Sequence, residues 1–139
     1  MNGRVFFDTN ILVYTFDADA PKKRDRSRSL VREALEKGNG AISWQVVQEF
    51  LNVARQKFQN PLTPGETADY LDQVLVPLWK VFPAPDLFHE AIAIQRQAEY
   101  RFYDSLIVAS ACHSGATILY SEDLQDGRTF GKTKIVNPF

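Results

Sequence analysis

The sequence predicts an α/β fold, a three-layer α/β/α sandwich around a central parallel sheet. Short apolar, β-rich runs (Arg4 to Phe7, Ala41 to Ser43, Thr117 to Tyr120, Lys134 to Val136) are separated by long stretches with helical periodicity. That alternation is the order of parallel strands joined by crossover helices. The runs have no polar face, which suits strands covered on both sides. Asp8 and Asp123 both follow such runs, at the strand edge where open α/β sheets bind their ligands.

At 139 residues and 45% hydrophobic content, the chain suits one domain, residues 1–139. No stretch approaches the roughly 18 apolar residues of a membrane span, and no signal pattern precedes the first strand. A cytoplasmic protein without membrane contact is therefore expected. The one cysteine, Cys112, rules out an intrachain disulfide and a thiolate metal cluster, and it reads as a small buried hydrophobe.

After the first strand, Asp8 or Thr9 caps a short helical turn through NILVYTF. A looser polar stretch, Asp17 to Asp25, precedes a helix through SRSLVREALEKG, which Gly38 ends. Ser43 suits the N-cap of the helix WQVVQEFLNVARQKF. Thr63-Pro64-Gly65-Glu66 forms a capping box with proline at the first helical position, opening a helix to about Leu75. Val76 to Phe82 suits a strand despite Pro77, and Pro83 and Pro85 break the chain before a helix from Asp86 to about Glu99. Asp104 opens the next helix, apolar almost all round and hence central, which Gly115 ends.

Four acids lie beside strongly apolar runs: Asp8, Glu49, Asp104 and Asp123. An isolated carboxylate in such surroundings is costly, and several together suit a hard divalent cation that takes oxygen ligands. Each acid also has an ordinary reading. Asp8 serves as an N-cap or turn former, Asp104 as the N-cap of its helix, and Asp123 as a turn residue. Glu49 lies at the edge of the apolar face made by Val46, Val47, Phe50, Leu51, Val53 and Ala54, where glutamates are commonly solvated. The α/β topology brings the four to one edge, which favours the shared cation. In SEDLQDG, Asp123 is the inward ligand, Glu122 is solvated, and Asp126 is a peripheral acid for a second metal or its water. Thr9 and Asn10 supply groups that orient carboxylates.

The formal net charge of -1 gives no nucleic-acid footprint by itself. Setting the four acids aside tilts the remainder positive, and Lys22, Lys23, Arg24, Arg26 and Arg28 cluster in KKRDRSR. Such a cluster attracts phosphates or forms a solvated helix and loop surface. His89 and His113 have no partner placed nearby and read as structural, and Trp44, Trp79 and Phe58 read as core more readily than as partner surface.

The motifs VFFDTNILVY, QEF, FYDSLIVASA, ILYSEDLQDG and IVNPF, in that order over nearly the whole chain, resemble the PIN-domain family, most closely VapC-type toxins of bacterial toxin–antitoxin pairs. The resemblance implies a Mg²⁺- or Mn²⁺-dependent endoribonuclease. Its acidic quartet would be Asp8, Glu49, Asp104 and Asp123, with Asn10 or Thr9 and Ser121 in support. It also implies a homodimer, a small cognate antitoxin whose basic side chain reaches the acidic pocket, and structured RNA, transfer RNA included, as substrate. Two other readings compete: a PIN-like RNA- or partner-binding module without activity, and a Mg²⁺-binding receiver-type phosphoacceptor domain.

Overall fold

The computed structural model describes residues 3–139. Six strands form one sheet in the order β3-β2-β1-β4-β6-β5, where β1 is Val5–Phe7, β2 Gly40–Ser43, β3 Trp79–Val81, β4 Ile118–Tyr120, β5 Thr129–Phe130 and β6 Thr133–Val136. All pairings are parallel except β5 with β6.

Helices flank the sheet: α1 (Thr9–Tyr14), α2 (Pro21–Lys37), α3 (Trp44–Gln56), α4 (Pro64–Tyr70), α5 (Val76–Leu78), α6 (Pro85–Ala98) and α7 (Phe102–His113). The chain steps from β1 through α2 to β2, and through α3 to α5 to β3. It then returns through α6 and α7 to β4, on the other side of β1. With right-handed crossovers, the outward helices cover one face and the returning pair the other. The reversal creates a switch point between β1 and β4, at their carboxyl ends.

The core is continuous through the sandwich. Phe6 and Phe7 of β1, Ile42 of β2, Leu119 of β4 and Ile135 of β6 are fully buried, as are Val46 and Phe50 of α3. Helix α7 is buried from Ser105 to Ala111, as its uniformly apolar sequence requires. Its two serines satisfy their hydroxyls on carbonyls one turn earlier, Ser105 on Arg101 and Ser110 on Leu106. Gly40 is needed where β2 passes under α2 and α5: a Cβ there would stand 2.5 Å from Leu78 and 3.0 Å from Ala34.

Several boundaries differ from the sequence expectation. Helix α2 starts at Pro21 rather than Ser27, so the basic cluster lies on a helix; proline at its first position, free of the need to donate, was the overlooked signal. The helix that opens at Thr63 widens into a π-turn over Leu71–Leu75 and continues as α5, leaving only Trp79–Val81 as strand. Pro77 cannot donate to the carbonyl of Gln73, and a widened turn ahead of it relieves that mismatch. Helix α7 begins at Phe102, with Asp104 inside its first turn rather than at the N-cap, which is Arg101. The antiparallel β5 went unrecognised because two residues carry no readable period. Among the described residues, no helix is long and apolar enough to cross a membrane.

Candidate active site

A cleft of about 710 Å³ opens at the carboxyl edge of the sheet, and Asp8, Glu49, Asp104 and Asp123 all line it. Four separate elements deliver them: the end of β1, the second turn of α3, the first turn of α7 and the loop after β4.

Asp8 is the most enclosed, with 9% of its surface exposed. It ends β1, where its backbone N–H extends the ladder by donating to Tyr120 O at 3.0 Å, and it is the N-cap of α1. Its Oδ1 accepts from the Thr9 N–H at 2.7 Å, and its Oδ2 accepts from Ser121 Oγ at 2.8 Å and Asn10 Nδ2 at 3.4 Å. Burial nevertheless pushes its pKa up to about 6; the Ser121 and Thr9 bonds oppose that rise, and the charges of Glu49 and Asp123 add to it.

Its neighbours in sequence orient the other acids. Thr9 Oγ1 donates to Glu49 Oε1 at 2.7 Å, and Asn10 Nδ2 donates to Asp123 Oδ2 at 3.0 Å. The DTN triplet therefore ties three of the four acids together. Asp104 lines the cleft half-buried from the start of α7.

Other expectations for the region change. Glu122 is not a solvated acid: Tyr14 OH donates to its Oε2 at 2.5 Å and Lys23 Nζ to its Oε1. The Lys23 and Tyr14 bonds hold its carboxyl below the usual range. Asp126 is not among the cleft-lining residues; its Oδ1 accepts from the Asn137 N–H at 2.8 Å and anchors the C-terminal strand end. Sequence reasoning missed Gln45, whose Nε2 donates to Glu49 Oε2 at 3.4 Å and to Tyr103 O at 3.2 Å. Its spacing, one helical turn before Glu49, was the available signal. Lys57 and Asn52, which also line the cleft, had none.

The basic cluster is largely engaged by the fold. Arg28 Nε caps the end of α1 through Thr15 O at 2.7 Å, Arg26 Nε reaches Pro138 O at 3.3 Å, and Lys23 holds Glu122.

The donor set suits a hard cation, since the cleft offers carboxylate, hydroxyl and amide oxygens and no imidazole or thiolate. Among the described residues, no three His, Cys, Asp or Glu side chains stand close enough together to hold an ion as they lie. The quartet is thus gathered around one cleft without closing a coordination sphere.

A family model described as PIN domain matches residues 5–128. The chain belongs to the PIN-domain family. No curated protein matches this PIN domain significantly. Solved structures that share its fold include two toxin-system proteins. A toxin-antitoxin complex from Klebsiella pneumoniae aligns with a TM-score of 0.65 at 20% identity, covering 97% of this chain and 98% of that one. The Mycobacterium tuberculosis VapC20, a Sarcin-Ricin loop cleaving toxin, aligns with a TM-score of 0.59 at 17% identity, covering 86% and 89%. Membership in the PIN family sets aside the receiver-type reading, and so does the strand order, which differs from the 2-1-3-4-5 of receiver sheets.

Proposed function

We propose that this PIN domain is a Mg²⁺- or Mn²⁺-dependent endoribonuclease and the toxin of a toxin–antitoxin pair. The observation that carries the reading is the convergence of Asp8, Glu49, Asp104 and Asp123 on one cleft at the sheet's switch point. The likeness to a toxin-antitoxin complex and to a Sarcin-Ricin loop cleaving toxin supports the biological role.

Asp8, Asp104, Glu49 and Asp123 would hold the cation, which when bound supplies Lewis acidity toward a phosphate oxygen and lowers the pKa of a water. The chain's own residues prepare that site. Ser121 and the Thr9 N–H fix both oxygens of Asp8, Thr9 Oγ1 aims Glu49, and Asn10 aims Asp123. Such supporting bonds typically carry tenfold to hundredfold effects on metal affinity or activity, on the order of 1–3 kcal/mol. Lys57 on the cleft wall offers a phosphate a charge of opposite sign. A basic side chain from an antitoxin would occupy the same acidic cleft by offsetting the carboxylate repulsion. The working form is a cytoplasmic homodimer, and structured RNA, such as transfer RNA, is the substrate.

Purified protein incubated with end-labelled RNA tests this reading. Cleavage is expected with Mg²⁺ or Mn²⁺, none in excess chelator, and at least about a hundredfold less with Asp8→Asn. Cleavage that persists in chelator, or equal cleavage by the variant, would overturn it.

A further inference from the structure

Beside the acidic cleft lies a second cavity of about 250 Å³, lined by Trp44, Phe88, Phe102 and Tyr103 with the glutamines Gln45 and Gln48 among its polar groups. Gln45 and Tyr103 line both cavities, so the two share one wall. No charged side chain lines the smaller one. Three of its aromatic residues expose more than a third of their surface: Trp44 42%, Phe88 38% and Tyr103 66%. Large apolar groups so exposed in one place call for a partner.

Gln45 adds a second sign. Its Nε2 is committed to two acceptors, Glu49 Oε2 and Tyr103 O, which fixes the orientation of the amide. Its Oε1 is then left buried with no donor, although the residue is 7% exposed. A donor from water or a ligand would offset the roughly 1–3 kcal/mol that a buried unpaired acceptor costs.

We propose that this cavity is a nucleobase subsite: an unpaired base next to the phosphate in the acidic cleft stacks among Trp44, Phe88 and Tyr103. The inference rests on the nuclease reading above and extends it to substrate choice. The cavity lies just below the volume range of ordinary ligand pockets, which suits one flat ring system better than a protein segment. Neutral aromatic walls suit a base, whereas a phosphate belongs with the cation next door. Selection of unpaired over paired nucleotides follows, since a stacked base must leave its helix.

Tryptophan emission reports on the cavity, because Trp44 lines it and Trp79, the other of the chain's two tryptophans, stands 5.8 Å from Trp44. The Asp8→Asn protein would be titrated with a short RNA backbone bearing a single base and with the same backbone fully abasic. The base-bearing RNA is expected to quench emission and to bind at least about fivefold more tightly. Phe88→Ala and Tyr103→Ala should each weaken it by about tenfold, and Ile92→Ala, one turn along α6 and outside the cavity, should not. Equal affinity for both RNAs, or no effect of Phe88→Ala and Tyr103→Ala, would overturn the subsite. So would an emission change with protein concentration alone, which would mark a second copy as the occupant. Metal-dependent cleavage by the wild type alongside equal RNA affinities would defeat the subsite and leave the nuclease reading standing; a wild type that cuts no RNA would defeat the latter.

Discussion

Ser121 Oγ donates to Asp8 Oδ2 at 2.8 Å, joining the loop after β4 to the end of β1 across 113 residues of sequence. The same oxygen accepts from the Asp123 N–H at 3.2 Å, so one hydroxyl orders two of the four acids. Ser121→Ala removes both effects. Metal affinity measured by calorimetry should fall about tenfold to a hundredfold, with cleavage falling in step. The metal-free fold should lose roughly 1–2 kcal/mol at neutral pH, where a buried carboxylate loses a donor.

Asp8 makes the metal-free protein less stable as pH rises. Its folded pKa of about 6 lies above the ordinary 3.8, so the folded state keeps a proton that the unfolded state releases. The associated stability is fully present below the unfolded value and is lost as pH climbs through the folded one. Comparing wild type with Asp8→Asn by denaturant unfolding isolates this contribution. The variant's advantage should grow by on the order of 2–3 kcal/mol between about pH 4 and 7. Mn²⁺ should raise the melting temperature of the wild type and have little effect on the variant.

Asp123 and its neighbour Glu122 should behave differently. Asp123 is oriented by Asn10, whereas both oxygens of Glu122 are engaged by Tyr14 and Lys23. Asp123→Asn should weaken Mn²⁺ binding by about tenfold or more, and Glu122→Gln should change it by less than about threefold, as read by titration calorimetry.

Glu99 ends α6 in the left-handed region at φ 58°, the only such non-glycine among the described residues. A side chain there is strained, and glycine is the usual choice at that position. Glu99→Gly should stabilise the protein by about 0.5–1 kcal/mol, seen as a higher melting temperature, with cleavage unchanged.

The layer order and the strand edge that carries the site were legible because strand-helix alternation and both-face burial survive in the residue pattern. So were Asp8 and Ser43 as caps, whose signals are local. Trp44 was expected in the core and stands 42% exposed, because hydrophobicity alone does not tell a buried ring from one that lines an open cavity. Asp104 shows how a helix start slips: the apolar pair Phe102 and Tyr103 precedes it, and no cap residue stands at Arg101 to mark the boundary. The Lys23–Glu122 pair joins residues 99 apart in sequence, and no local pattern encodes such a contact. The tie between Asp126 and Asn137 is equally non-local, and the run of three acids in SEDLQDG gives no sign that Asp126 stands outside the cleft lining.

The central claim is that four carboxylates from four elements share one cation. Anomalous diffraction at the manganese edge, from crystals soaked in Mn²⁺, tests it directly. The predicted result is a peak in the cleft within about 2.5 Å of carboxylate oxygens of Asp8 and Asp104, with Glu49 and Asp123 bound directly or through water, and no such peak in Asp8→Asn crystals. A cleft without a peak at saturating Mn²⁺, or an undiminished peak in the variant, would contradict it.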